Sequence, residues 1–293
     1  MLSRPLPFNH YRFFKLRIHQ LLLRGKINAP FLSGDSFASL ANYYAYGKSG
    51  KNKIRRKKLK KAKIVFVAGH NLKKLMDSHF NDIHARVIIC GNSDENFDSS
   101  IEFPPSVKFW LCQNNSRANT QDKVTIPIGL ENLRLARAGF PKDFQSQNSN
   151  TIVDRVLMPP MWPTNPNRYH AVYQALKMPN VFDVYREYIP NSQYVEFFGR
   201  YKFVFCCEGN GYENHRVWES LYRNSFPVML DTPWARTLID LKIPILLVRE
   251  ISELNPGLLE EHLEIWKDFD PKKCESLWLP HWEKMVLEKI RSE

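Results

Sequence analysis

Short apolar runs rich in β-branched residues alternate with stretches of helical periodicity along most of the 293-residue chain. Strands that alternate with helices build parallel sheets, because a parallel strand pair needs a long crossover and a helix supplies it. The pattern therefore predicts an α/β fold. In the first half the predicted strands are residues 63–68, 86–90, 107–111 and 123–126, and the predicted helices are residues 36–46 and 72–80.

The polar segment 141–151, PKDFQSQNSNT, interrupts this alternation and is predicted to be a linker. A second series follows it, so the chain is predicted to hold two Rossmann-like lobes in a GT-B-like arrangement, residues 1–150 and 151–293, with a ligand cleft between them. The second series has predicted strands at 152–158, 202–206, 226–230 and 244–248, and predicted helices at 168–177, 192–199, 214–223 and 233–241, with two more between 257 and 291.

The positive charge of the chain is concentrated at its N-terminal end. Residues 1–63 contain sixteen Lys or Arg and one acidic residue, whereas the rest of the chain has three more acidic than basic residues. The densest run, Lys48 to Lys63, is open to three interpretations: a solvated face, a surface for anionic lipid or a lipid-linked phosphate, and a nucleic-acid contact. No aromatic residue is interleaved in this run for base stacking, so no specific nucleic acid is expected.

The five cysteines are an odd number without the spacing of a metal site, and we expect buried thiols in a reducing compartment. No run of about eighteen apolar residues is present, and basic residues break the apolar stretches of the first thirty positions. These features predict a cytoplasmic protein, either free or peripheral on a membrane.

The segment 201–230, YKFVFCCEGNGYENHRVWESLYRNSFPVML, has the order strand, glycine turn, helix, strand. The two glycines of EGNG are expected to adopt backbone angles closed to other residues, and Asn214 is a predicted N-cap. The free N–H groups of the helix start and the guanidinium of Arg216 suit a diphosphate. Glu219, three residues further on the same face, suits the paired hydroxyls of a ribose. Spacing alone leaves open an ordinary glycine turn followed by an Arg–Glu surface pair.

The pattern F-x-x-C-x-E-G-N-G-x-x-x-x-R-x-W-E-S-L, followed by F-P-V, resembles the donor-site region of exostosin-like glycosyltransferases and, more loosely, that of the α1,3-fucosyltransferases. SGDSF (33–37), IICGNSDENF (88–97) and IPIGLEN (126–132) are similar to loops of bacterial and viral exostosin-related proteins. The resemblance implies a GT-B fold, with Arg216 on the donor diphosphate and Glu219 on its ribose. It also implies that a sugar pocket is lined by Glu208, Gly209, Asn210 and Gly211.

An inverting transfer needs a carboxylate or histidine that takes the proton of the acceptor hydroxyl. Asp35, in the SGDSF segment, is the favoured candidate for this catalytic role, and His70 and Asp94 are alternatives. Each also has a structural interpretation: helix capping for Asp35, and loop or turn formation for the other two. Arg155 and Arg168 flank the loop after the first strand of the second half, where they could contact phosphate or form salt bridges.

Together these residues predict a metal-independent glycosyltransferase of the hexosyltransferase class, without a cofactor. Its donor would be a nucleotide-diphosphate sugar, with a UDP-sugar favoured over a GDP-sugar, and its acceptor a hydroxyl of a glycan or lipid-linked glycan. No HExxH or Cys-x-x-Cys pattern is present to hold a metal. Two alternatives stay open: a fucosyltransferase-like enzyme that uses a GDP-sugar, and a non-catalytic basic module on the same fold that binds a membrane or nucleic acid.

Overall fold

The computed structural model describes residues 18–23, 25–47, 50–97, 101–145, 153–187 and 189–291, with the side chains of 191 and 192 left out. Two separate five-stranded sheets form, one from each half of the chain, and every strand pair in both is parallel. The prediction of an α/β fold with two Rossmann-like lobes is therefore confirmed. No helix among these residues is long and apolar enough to cross a membrane.

Most elements fall close to the predicted periodic segments, but the strand at 182–184 and the helix at 56–61 have no predicted counterpart. The strands are β1 Tyr43–Ala45, β2 Ile64–Ala68, β3 Val87–Gly91, β4 Phe109–Cys112, β5 Lys123–Thr125, β6 Val153–Met158, β7 Phe182–Val184, β8 Tyr201–Phe205, β9 Phe226–Leu230 and β10 Leu246–Val248. The helices are α1 Gly34–Ser39, α2 Arg56–Lys61, α3 Leu72–His79, α4 Pro166–Ala175, α5 Asn191–Phe198, α6 His215–Tyr222, α7 Pro233–Asp240, α8 Pro256–Ile265 and α9 Leu279–Arg291.

The first sheet has the strand order β1-β2-β3-β4-β5, which follows the chain. Right-handed crossovers between successive strands place their connections on one face of such a sheet. Helices α2 and α3 lie on that face, where Leu59 and Leu75 are fully buried. The opposite face is covered by α1 and the last helix, α9, whose Trp282 packs edge-on against Phe37 at 5.5 Å. The interval 151–293 therefore includes a helix that completes the core of the N-terminal lobe.

The second sheet has the order β10-β9-β8-β6-β7. After β6 the chain adds β7 on one side, and it then crosses to the other side of β6 to add β8. This reversal is a topological switch point: the loops that follow β6 and β8 run in opposite directions and leave a crevice at the carboxyl ends of these strands. The EGNG turn follows β8 and is therefore at this crevice.

Two local predictions differ from the structure, those for residues 43–45 and for the linker 141–151. Residues 43–45, predicted to be helical, form β1, because pairing with Val65–Val67 in a buried sheet overrides local periodicity. The basic run contains helix α2, and its residues 48 and 49 lie outside the described residues. Of the predicted linker, residues 141–144 form a short 3-10 helix with Phe144 in the core, and residues 146–151 lie outside the described residues.

Candidate active site

A cavity of about 350 Å³ opens at the switch point of the second sheet. Its walls come from the start of α6, from the segment after β6, from α4 and α5, and from a loop of the N-terminal lobe. The side chains that line it include Glu131, Arg168, Tyr194, His215, Arg216 and Glu219. The cavity is thus the cleft between lobes that the sequence predicts.

Asn214 immediately precedes helix α6 and caps its first turn, so its predicted N-cap role is confirmed. The side-chain oxygen of Asn214 accepts a hydrogen bond from the backbone N–H of Arg216 at 2.9 Å. Its amide nitrogen donates to the carbonyl of Cys207 at 2.8 Å, so the cap also ties the helix start to the end of β8. This double attachment fixes the direction in which the first turn of α6 faces the cavity.

Arg216 is held by two neutral acceptors. Its Nε donates to the Tyr194 hydroxyl at 2.8 Å, and its Nη2 donates to the carbonyl of Pro160 at 2.6 Å. Among the described residues no carboxylate oxygen lies within 4.0 Å of this guanidinium. The ion pair with Glu219 that spacing left open is therefore not formed, and the charge of Arg216 is available to a ligand.

Arg168 repeats this arrangement from α4. It is only 8% exposed, its Nε donates to the carbonyl of Glu208 at 2.7 Å, and its Nη1 donates to the carbonyl of Trp162 at 2.9 Å. Burial, and after it the charge of Arg216, lower the pKa of the Arg168 guanidinium. Within the described part of the chain Arg168 also has no carboxylate partner. Two neighbouring buried cations that make no direct ion pair are costly, and an anion in the cavity would offset that cost.

The other candidate arginine, Arg155, has the salt-bridge role. Its Nη2 lies 3.0 Å from an Asp183 oxygen, and its Nη1 donates to the carbonyl of Pro179. Arg155 does not line the cavity. The structure thus separates the two arginines that the sequence could not tell apart.

Glu219 places in the cavity a carboxylate that can accept hydrogen bonds from a ligand. The residue is 9% exposed and lines the cavity one helical turn after Arg216. Among the described residues its carboxylate has no hydrogen-bond partner. Burial raises the pKa of this carboxyl, and the neighbouring His215 and Arg216 oppose the shift. A ligand that donates hydrogen bonds, such as a vicinal diol, would satisfy the group.

The EGNG turn packs against the N-terminal lobe. Asn210 Nδ2 donates to Asp94 Oδ2 at 3.2 Å, and a Cβ atom on Gly211 would lie 2.9 Å from the Asp94 carbonyl oxygen. Neither Gly209 nor Gly211 has a positive φ, so the expectation that they adopt backbone angles closed to other residues was wrong. A side chain at position 211 would collide with the N-terminal lobe, because the two lobes approach each other closely there. The residues Glu208, Gly209, Asn210 and Gly211 do not line the cavity, and their role in a sugar pocket stays a prediction.

The inter-lobe contact continues to the start of α6. The Tyr212 N–H donates to Asn96 Oδ1 at 3.0 Å, and the Glu213 N–H donates to Asn114 Oδ1 at 2.9 Å. The Glu213 carboxyl accepts from the Ile128 N–H at 2.7 Å. Segment 210–215 therefore joins the lobes directly beside the residues that face the cavity.

Asp35 lies away from the cavity lining and in a buried polar network. Its fully buried carboxylate accepts from Arg134 Nε at 2.9 Å and from Asn92 Nδ2 at 3.2 Å. Its N–H donates to Asn132 Oδ1 at 2.6 Å. The three segments that resemble exostosin-related loops thus meet at Asp35. In this position the carboxylate does not face the cleft as expected, and its catalytic role stays a prediction.

The two alternative bases are also outside the cavity lining. Asp94 is at the lobe contact, and His70 is exposed on a short 3-10 helix after β2. Among the described residues no group of three or more His, Cys, Asp or Glu could hold a metal ion. The chain has one Asp-x-Asp triplet, residues 268–270, which is away from the cavity, and its Asp270 caps a short turn.

Sequence reasoning missed Glu131, Tyr194 and His215. Glu131 is in the IPIGLEN segment and His215 immediately precedes Arg216 in the segment 201–230, so both lie inside motifs that the prediction of a donor site uses. No periodicity marks a residue that reaches across from another lobe.

A second, largely apolar groove of about 330 Å³ adjoins the cavity through Met161 and Arg168, and the exposed rings of three tyrosines line it: Tyr169, Tyr173 and Tyr185.

No family model and no curated protein matches this chain. Among solved structures, the GtfA/B complex is similar with a TM-score of 0.42 and 10% identity. The pneumococcal O-GlcNAc transferase GtfA in complex with UDP and GlcNAc is similar with a TM-score of 0.37 and 13% identity. Each match covers 78% of this chain and 57% of the other, so the chain spans less than two thirds of these proteins.

Proposed function

We propose that this protein is a glycosyltransferase that moves a sugar from a nucleotide-diphosphate sugar to a hydroxyl of a glycan or lipid-linked glycan. The observation that carries the proposal is the pair of unpaired guanidiniums, Arg168 and Arg216, in one cavity at a topological switch point. Each is anchored by neutral oxygens, and neither has a carboxylate oxygen within 4.0 Å among the described residues. A diphosphate supplies two adjacent negative groups to such a pair.

Glu219 extends this donor site. In the proposed complex its carboxylate accepts hydrogen bonds from the ribose hydroxyls, which lie next to the diphosphate in a UDP-sugar or a GDP-sugar. The two arginines act on the reaction as well as on binding, because negative charge grows on the leaving diphosphate as the sugar departs. Two fixed cations offset this charge without a metal ion. A UDP-sugar is the favoured donor, and a GDP-sugar is the alternative.

Helix α2 supports a peripheral role at an anionic surface. Its Leu59 is buried in the core, while Lys57 and Lys58 are exposed. Arg56 and Lys60 pair with Asp82, at 3.3 Å and 3.2 Å, so part of the basic run is compensated. The remaining lysines could hold the protein near anionic lipid, where a lipid-linked acceptor would be found.

The test is nucleotide binding by calorimetry and thermal shift, with UDP, GDP and AMP, for wild type and the variants Arg168→Ala and Arg216→Ala. Each variant removes a charge-assisted contact of about 2–3 kcal/mol, which corresponds to roughly 30- to 150-fold weaker binding of UDP or GDP. Arg155→Ala is the matched control in the same lobe, because its guanidinium already pairs with Asp183. It should bind as wild type does.

Stability gives a second readout from the same samples. Arg168→Ala should leave the melting temperature of the ligand-free protein unchanged or higher, since burial and the charge of Arg216 both disfavour the Arg168 guanidinium. Wild type that binds no nucleotide, or variants that bind it as tightly as wild type, would refute the donor site. Strong, salt-dependent oligonucleotide binding in the absence of nucleotide selectivity would instead favour the basic binding module.

A further inference from the structure

His215 is the first residue of α6, and both of its ring nitrogens can be assigned a role. Nδ1 lies 2.7 Å from the carbonyl oxygen of Gly129. A carbonyl oxygen only accepts, so Nδ1 carries the proton, and in the neutral ring the lone pair is on Nε2. Among the described residues Nε2 has no partner, and the His215 side chain lines the cavity with Arg216 and Glu219.

The carbonyl that sets this tautomer is itself rigidly placed. Gly129 has a φ of 65°, and a Cβ atom there would lie 2.1 Å from the Leu32 carbonyl oxygen, so only glycine fits. That Leu32 oxygen accepts from the Leu130 N–H at 2.7 Å. Gly129 belongs to the N-terminal lobe and His215 to the C-terminal lobe. The ring is therefore oriented only when the two lobes are in contact.

We propose that His215 Nε2 is the base that takes the proton from the acceptor hydroxyl, an inference that rests on the proposed glycosyl transfer. In this step the acceptor oxygen forms a bond to the anomeric carbon, and its proton passes to Nε2. The bond between the anomeric carbon and the diphosphate oxygen breaks, and the electron pair leaves on the diphosphate beside Arg168 and Arg216. The imidazolium later returns its proton to solvent.

The charged groups that line the cavity with His215 are Arg168 from α4, Arg216 and Glu219 on its own helix, and Glu131 from the N-terminal lobe. Glu131 is the main rival as a base, but one of its oxygens already accepts from the Ala138 N–H at 3.0 Å. An imidazole also titrates nearer to neutral pH than a carboxyl does, which favours it for proton transfer there. Glu219 faces the same cavity, and the proposed ribose contact occupies it.

The variant His215→Asn separates catalysis from structure. The side-chain amide nitrogen of asparagine can take the place of Nδ1 and still donate to Gly129, while nothing replaces the basic Nε2. The donor is whichever of UDP-glucose, UDP-N-acetylglucosamine, GDP-mannose and GDP-fucose the wild type hydrolyses, with water as the acceptor. The readouts are kcat between pH 5 and 9, the Kd of the donor, and the melting temperature. Glu131→Gln is measured in parallel.

For His215→Asn we expect kcat to fall by about 100-fold or more, with the donor Kd and melting temperature close to those of wild type. The rise of kcat with pH that we expect for wild type should be absent from this variant. Free imidazole should restore part of the activity of His215→Ala, which has the space to admit it. Glu131→Gln should keep the rising limb.

Three results would overturn the proposal. His215→Asn could retain the wild-type kcat and pH limb. It could lose donor affinity in parallel with Arg216→Ala, which would make the histidine a donor ligand. The pH limb could follow Glu131 instead. A wild type that neither binds nor hydrolyses any nucleotide sugar would refute the proposed function itself, and calorimetry on wild type distinguishes that failure from a failure of the His215 assignment.

Discussion

Glu213 makes the stability of this protein depend on pH at the contact between its lobes. The residue is 5% exposed, and its Oε1 accepts from the Ile128 N–H and from Trp218 Nε1, each at 2.7 Å. Its Oε2 is buried and has no hydrogen-bond partner among the described residues. Burial raises the pKa of the Glu213 carboxyl to about 8, although the two hydrogen bonds act in the opposite direction. The neutral acid is therefore the form that the fold prefers.

The sign of the effect follows from the direction of this shift. The pKa of a glutamate in the unfolded chain is about 4.3, so the native state binds the Glu213 proton more tightly than the unfolded state does. The contribution of Glu213 to stability is fully present below that pH and is lost as the pH rises through about 8. Each unit of separation between the two pKa values corresponds to about 1.4 kcal/mol, so the whole effect is about 5 kcal/mol. Between pH 6 and 8 alone it is about 2 kcal/mol.

The assay is urea unfolding of wild type and Glu213→Gln at several pH values from 5 to 9. Glutamine keeps the oxygen that accepts both hydrogen bonds and places a neutral group where the proton of the acid would be. The variant should gain stability relative to wild type steadily as pH rises from 5 to 8. The exposed Glu95→Gln is the control and should show no such trend. A stability difference for Glu213→Gln that is constant across this range would refute the argument.

Further predictions follow from the other contacts. Asp35→Asn breaks a buried ion pair with Arg134 and should lower the free energy of unfolding by about 3 kcal/mol in urea unfolding; wild-type stability with at least a hundredfold loss of turnover would instead support the catalytic role. Gly211→Ala should cost about 1–3 kcal/mol, measured by thermal unfolding, because its Cβ would collide across the lobe contact; an unchanged melting temperature would contradict this. Changing Lys57 and Lys58 to Gln should weaken sedimentation with anionic vesicles by about 1 kcal/mol per charge and spare nucleotide binding; unchanged association at low salt would show that the run is only solvated.

The sequence was sufficient for the fold class because the central strands of the first sheet are short and fully buried. In β2 and β3 all five residues are buried, which produces the continuous apolar runs that predict parallel strands. The short edge strand β1 was missed, because three residues carry too little periodicity to outweigh a helical neighbourhood. The strand order, and with it the switch point, is not encoded in any local pattern, since it depends on which strands pair.

Only those residues of the candidate site that lie close together in the sequence could be predicted. Asn214, Arg216 and Glu219 lie within one short helix, so their spacing indicates a shared face. The contribution of Arg168 depends on backbone carbonyls of two separate loops, and sequence spacing could not distinguish it from Arg155. The contact between His215 and Gly129 joins residues 86 positions apart, which no single-sequence pattern specifies.

The segment after β8 couples the donor cavity to the contact between the lobes. The carbonyl of Glu208 holds Arg168, and two residues later Asn210 bonds to Asp94 of the other lobe. A displacement of this turn would therefore move an anchor of the anion site and loosen the lobe contact together. The same holds at the start of α6, where His215 bonds across the lobes and Arg216 faces the cavity. An anion that draws the two guanidiniums together should accordingly stabilise the contact between lobes, because segment 208–216 takes part in both.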